Sequence, residues 1–180
     1  MPAQNTHMIQ IEKWKTTDAQ TLEELYSNVD QSHCLVALPI PLPKEQTDRY
    51  MEIMETGING ELVFECRKVL MEGKIIGKID LNRYPNGGAE LDIVLRKEYT
   101  GKGIGTECML MLEDDLKKSS FASHVHAYVR LDNIAMVKVL ERTGFVPGRR
   151  FEAEVYSYEA NGPMFAKGRE YIKALSREYN

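Results

Sequence analysis

The stretch Leu91-Asp-Ile-Val-Leu-Arg-Lys-Glu-Tyr-Thr-Gly-Lys-Gly-Ile-Gly-Thr-Glu-Cys108 runs an apolar, strand-forming segment into a glycine-rich turn and on into an amphipathic helix. Gly101, Gly103 and Gly105 keep Cβ atoms out of the turn, so a ligand can come close to the backbone. The first helical turn adds N–H groups that have no partner inside the helix and that favour an anion. Two common phosphate-binding spellings are excluded. The nucleotide P-loop requires Gly-Lys followed by Ser or Thr, and here Gly101-Lys102 is followed by Gly103. The dinucleotide fingerprint ends on Gly or Ala, where this chain has Thr106 or Cys108.

A second segment follows after a strand-like run at 122–130. It reads Asn133-Ile-Ala-Met-Val-Lys-Val-Leu-Glu-Arg-Thr-Gly144-Phe145. Asn133 is a good helix N-cap, Ile134, Val137 and Leu140 recur at helical spacing, and Gly144 is a natural stop before a new strand.

Together the two segments resemble the GCN5-related N-acetyltransferase (GNAT) superfamily. The turn Thr100-Gly-Lys-Gly103-Ile-Gly105 is similar to the family's Gln/Arg-x-x-Gly-x-Gly/Ala motif, with Thr in the first place, and the second segment is similar to the family's next helix. Glu107 and the end of the chain, Tyr156 to Phe165 followed by Tyr171 to Tyr179, resemble the RimJ/RimL-type ribosomal-protein-alanine acetyltransferases within it.

The resemblance implies acetyl-CoA as co-substrate. Its pyrophosphate would lie on the backbone of Thr100, Gly101, Lys102, Gly103, Ile104 and Gly105, and its pantetheine arm would meet Asn133. In the family the fourth strand splays from the fifth, so the backbone of Ile93, Val94 and Leu95 would pair with pantetheine and polarise the thioester carbonyl. Glu90 matches the place where relatives carry the base that deprotonates the amine. Asp92 faces the same side two residues on, and Glu65 and Glu154 are alternatives on other strands. A carboxylate pair in a cleft raises one of its pKa values. The family's Tyr that protonates the leaving thiolate is replaced by Leu140, which leaves the general acid unassigned. Lys138 is either a partner for the coenzyme's 3′-phosphate or part of a solvated helix face. The implied activity is direct acetyl transfer, in a ternary complex, to a primary amine: a protein N-terminus or a small-molecule amine. The missing Tyr and Gln/Arg leave a second reading, a non-catalytic acyl-CoA-binding module.

Composition bounds the rest. A chain of 180 residues suits one domain, residues 1–180, with a polar tail at 1–7 expected to be disordered. Cys34, Cys66 and Cys108 are odd in number and form no Cys-x-x-Cys pair, so they read as small buried hydrophobes of a cytoplasmic protein. No long apolar run suggests a membrane span or signal peptide. A net charge of −4 argues against nucleic acid and suits a cationic acceptor; a homodimer is compatible with all of this. His124 and His126 share one strand face without a third metal ligand, so no metal is expected.

Periodicity sets the order βααβββαβαββ and an α+β fold: a mixed, mostly antiparallel sheet of about seven strands with helices on both faces. An edge strand is expected at 8–15. Asp18 is expected to cap a helix carrying Leu22, Leu25 and Val29, and an extended loop follows at 38–43 before a helix at 44–56. In the family this helix–loop–helix covers the acceptor side. Strands at 61–71 and 74–81 should turn at Glu72-Gly73, and Asn161-Gly162 should turn the last hairpin. The helix at 103–118 should put Ile104, Cys108, Met111, Leu112 and Asp115 on neighbouring turns, with Met109 and Met111 as core fillers.

Overall fold

The computed structural model describes residues 8–28, 30–36, 42–56, 64–119, 122–157 and 160–175. Seven strands form one sheet: β1 (Ile9–Lys13), β2 (Phe64–Met71), β3 (Lys74–Arg83), β4 (Gly88–Leu95), β5 (His124–Arg130), β6 (Val146–Ser157) and β7 (Gly162–Ala174). Their spatial order is β1-β2-β3-β4-β5-β7-β6, and every pairing is antiparallel except β4 with β5. The helices are α1 (Ala19–Tyr26), α2 (Lys44–Thr56), α3 (Ile104–Ser119) and α4 (Ile134–Arg142). This is the expected order and fold class. Residues 1–7, Val29, most of the 38–43 loop and the start of the 61–71 strand lie outside the described residues.

Strand alternation sends side chains to two faces. Ile79, Leu81, Ala89, Leu91, Val125, Ala127 and Val129 pack against Ile104, Cys108, Met109, Leu112, Leu116 and Leu140 of α3 and α4 in one core. Trp14, Leu22, Leu25, Leu42, Met51 and Cys66 make a second core beneath α1 and α2. The alternate residues are polar: Lys78, Asp80 and Asn82 on β3, Glu90 and Asp92 on β4, and His126, Tyr128 and Arg130 on β5. Polar side chains this far inside a sheet require partners or a ligand.

The hairpin at Glu72-Gly73 has φ values of 52° and 76°, the left-handed pair that a two-residue turn needs. At the last hairpin Asn161 has φ 49°, while Gly162 already belongs to β7. One local expectation is corrected. Asp18 precedes α1 but makes no side-chain cap; its carboxylate accepts instead from the Lys15 N–H at 2.9 Å and from Lys68 Nζ at 2.8 Å. A nearby ammonium outcompetes a cap bond because a charge-assisted hydrogen bond is stronger. The buried side of α3 is centred on Ile104, Cys108, Met109, Leu112 and Leu116; Met111 is partly buried and Asp115 faces outward, accepting from Arg67 Nη1 at 2.8 Å.

Candidate active site

β4 and β5 pair over three residues only, Gly88↔His124, Ala89↔Val125 and Glu90↔His126. From Leu91 to Leu95 β4 stays on β3, with Asp92 opposite Asp80 and Leu95 opposite Gly77, and forms no ladder with β5. Gly77 makes that continuation possible: a Cβ there would lie 2.5 Å from the Val94 carbonyl oxygen and from Leu95 Cδ2. The backbone of Ile93, Val94 and Leu95 therefore presents strand-type donors and acceptors to a gap in the sheet, which an extended ligand can enter as a strand would.

At the end of that gap lies the glycine turn. Gly101 and Gly103 have φ values of 73° and 86°, a conformation only glycine adopts freely, and a Cβ at either would meet nothing within 4 Å. The turn is thus open on its outer side. The Glu107 N–H closes the first turn of α3 on the Gly103 carbonyl at 3.1 Å, so the N–H groups of Ile104, Gly105 and Thr106 are the helix's unpaired donors. Together with the dipole of a 16-residue helix they form an anion cradle. Thr100 adds no side chain to it, since its hydroxyl donates back to the Lys97 carbonyl at 2.8 Å. Ile104 contributes through its backbone alone, because its side chain is in the core. Lys102 and Lys74 approach the Tyr99 ring at 5.7 and 5.9 Å from the centroid, placing two ammonium groups beside the turn. Lys74, on the neighbouring hairpin, is one that sequence spacing does not reveal.

A cavity of about 370 Å³ opens on the α1/α2 face of the same gap. Its walls include Tyr26 and Tyr50 from the two helices, Cys34 from the loop between them, Glu90 and Asp92 from β4, Tyr128 from β5, and Asn133, Met136 and Leu140 at α4. α1, α2 and described residues of the loop between them line this side of the cavity. Asn133 caps α4 by accepting from the Met136 N–H at 3.1 Å, which leaves its amide nitrogen as the end that can meet a ligand. Leu140 is fully buried and cannot donate a proton.

Glu90 is half-buried and accepts a hydrogen bond from the Tyr84 hydroxyl. Burial, then the bond to Glu90 and its charge, raise the Tyr84 phenol far above its usual range and keep it a donor. Asp92 is open to the cavity yet deep within the protein's mass; burial raises its carboxyl pKa, the Lys78 charge opposes this, and Asp80 and Glu90 add to it. Behind them, Lys78 is 1% exposed and bonded to Asp80; it also donates to the Tyr50 hydroxyl at 2.8 Å, which donates to Asp80 at 2.7 Å. Lys78 and Asp80 share a face of β3, but the closed triad was not legible in the sequence because Tyr50 joins them only through the docking of α2.

Lys138 is exposed on α4, outside the acidic cavity, where either of its two readings places it. Other candidates are engaged elsewhere. Glu65 is bound to Arg67 at 2.5 Å, and Glu154 lies far along the β6–β7 hairpin opposite Phe165. His126 Nδ1 sits 2.8 Å from Glu170 Oε1, and Tyr128 donates to the same oxygen at 3.2 Å, so the paired histidines belong to a polar sheet face. Among the described residues no cluster of His, Cys, Asp and Glu is placed to hold a metal. Cys66 and Cys108 are buried as expected, whereas Cys34 is only half-buried and reaches the cavity.

Comparison with known proteins places this geometry. The fold is shared with a spermidine N-acetyltransferase from Vibrio cholerae in complex with CoA and spermine, 16% identical over 94% of this chain and 96% of that one, with a TM-score of 0.78. A ribosomal-protein-S5-alanine acetyltransferase from Vibrio fischeri is 21% identical over 96% of each chain, with a TM-score of 0.75. A RimL ribosomal L7/L12 α-N-protein acetyltransferase in complex with coenzyme A is 13% identical, covering 96% of this chain and 97% of that one, with a TM-score of 0.73. At such identities the likeness establishes the fold. The family model described as an acetyltransferase (GNAT) domain matches residues 9–146, most of the chain, and with the strand gap and glycine cradle in place the chain belongs to the GNAT acetyltransferases.

Proposed function

We propose that this acetyl-CoA-dependent N-acetyltransferase acts on a primary amine received as a cation in the acidic cavity, and that transfer is direct, with Glu90 as base. One observation carries the reading: β4 leaves β5 immediately after Glu90, so the backbone that receives pantetheine and the carboxylates that receive an ammonium share one strand and one gap.

The chemistry follows from the residues. An amine arrives as R–NH3⁺ and must lose a proton before its lone pair can attack; Glu90, held by Tyr84, accepts it. Nitrogen then bonds to the thioester carbon, and a backbone N–H near Val94 or Leu95 supports the charge developing on oxygen. Collapse breaks the C–S bond, the thiolate takes up a proton, and the balance is one amide, one thiol and one released proton. No cysteine is a ready nucleophile for an acetyl-enzyme. Burial pushes the Cys34 thiol up to about 11 and the Cys108 thiol up to about 12, and raises Cys66 further, so none is a thiolate near neutrality.

The test is thiol release from acetyl-CoA with a panel of alkylamines, diamines and peptides with free N-termini. Amine-dependent release, with the acetyl group found on the amine, is expected. Release that no amine on the panel stimulates would contradict the reading.

A further inference from the structure

Glu90 and His126 are the last partners of the β4–β5 pairing, so their side chains stand on one face of strands about 4.8 Å apart. β5 lies between β4 and β7. On the β7 side the His126 ring is held by Glu170, with Nδ1 2.8 Å from Oε1, which turns the opposite edge of the ring, and Nε2 with it, towards β4 and Glu90. Tyr84, the donor to Glu90, meets the same ring edge-on at 6.5 Å. Glu170 sets the tautomer. It is 8% exposed, accepts from Tyr128 at 3.2 Å and lies 3.6 Å from Arg149 Nε. Burial raises its carboxyl pKa, but the bonds from His126 and Tyr128 and the Arg149 charge outweigh this and hold it below the usual range. It therefore stays an acceptor, the shared hydrogen sits on His126 Nδ1, and Nε2 is the basic nitrogen. A buried carboxylate orients a catalytic imidazole in the same way. The bulge in β6 between Pro147 and Arg150 closes over Glu170: a Cβ at Gly148 would lie 3.2 Å from Glu170 Oε2.

We propose that His126 is the proton acceptor behind Glu90, with Glu170 as the residue that positions it. This rests on Glu90 being the base for the amine. Glu90 gains an O–H bond as an N–H bond of the ammonium breaks. That O–H bond then breaks as an N–H bond forms at His126 Nε2, and the imidazolium, whose side chain is 17% exposed, returns the proton to water. Nδ1–H stays on Glu170 throughout. An unperturbed imidazole holds a proton about 100-fold more tightly than an unperturbed glutamate, so the second step draws the proton off Glu90 and leaves the carboxylate ready for the next amine. The groups around the ring are Tyr84 and Glu90 on the β4 side, His124 and Tyr128 along β5, Glu170 from β7 and, through Glu170, Arg149 from β6.

The experiment follows kcat between pH 5 and 9, at saturating acetyl-CoA and a saturating amine that the panel shows to be acetylated, in the wild type, Glu170→Gln and His126→Ala. Wild-type kcat should fall as pH drops through the imidazole range, about 6 to 7, because His126 must be neutral to accept. Glu170→Gln removes the anion that favours the imidazolium, so this limb should move to lower pH. His126→Ala should lose the limb and ~10²-fold in kcat, keep its Kd for acetyl-CoA, and recover part of the loss when imidazole is added; imidazole should leave the wild type unchanged. A wild-type kcat that stays level down to pH 5 would overturn the relay whether or not either variant folds. So would a limb that Glu170→Gln leaves in place, a folded His126→Ala protein within ~3-fold of wild type, or a larger loss that imidazole does not reverse, which would give the ring a structural role alone. In each of these cases amine acetylation still stands. Thiol release that no amine stimulates would instead remove the functional reading and the relay together.

Discussion

Glu90 and Asp92 differ by two positions in sequence and by one neighbour in space. The Tyr84 hydroxyl reaches Glu90 from the turn that precedes β4, whereas Asp92 looks across at Asp80 and at a lysine already engaged. The first is a carboxylate with a hydroxyl donor at its side; the second has no such donor, and burial raises its carboxyl pKa. Glu90→Gln keeps the shape and the Tyr84 contact but removes the basicity. It should lower kcat by ~10²–10⁴, the usual worth of a positioned base, and leave the Kd for acetyl-CoA unchanged. Wild-type turnover between pH 6 and 9 would remove Glu90 from the mechanism. At this scale the sequence is informative about residue type and poor about partners. Glu90 and Asp92 could be picked out because a strand alternates and both point one way. Tyr84, Lys78, Asp80 and Tyr50 could not, since what gives each its role is a cross-strand register or a docked helix. Leu140 in place of the tyrosine was readable, because a residue's identity needs no structure.

Among the elements, the turn between β4 and α3 has the most demanding backbone. Gly101 and Gly103 are both in the left-handed region, and no side chain of the protein approaches their outer sides, so their conformation serves an approach from outside. Gly103→Val would strain a φ of 86° and place two methyls where a phosphate must sit. Calorimetry should show acetyl-CoA affinity reduced at least ~10-fold, with a cooperative thermal transition retained to show that the protein is folded. A folded variant with unchanged affinity would move the cradle elsewhere. The element order, the hairpin at Glu72-Gly73 and the cap at Asn133 were legible because each rests on interactions within a few residues. Asp18 was misread as a cap because a distant cation, Lys68, claims it. Local propensity cannot see an ammonium 50 residues away.

For the whole molecule, one topological fact organises function: a single parallel pairing, three residues long, in an otherwise antiparallel sheet. It opens the gap, sets the cradle at one end and turns the carboxylates towards the α1/α2 side. Thioester and amine can then be held together, and proximity replaces a covalent relay. The cysteines agree with this, since burial keeps Cys34, Cys66 and Cys108 protonated near neutral pH. The most direct test is a grid of initial rates in which acetyl-CoA and a primary amine that the panel shows to be acetylated are both varied. Direct transfer in a ternary complex predicts double-reciprocal lines that intersect; parallel lines, the signature of an acetylated enzyme formed before the amine binds, would contradict it.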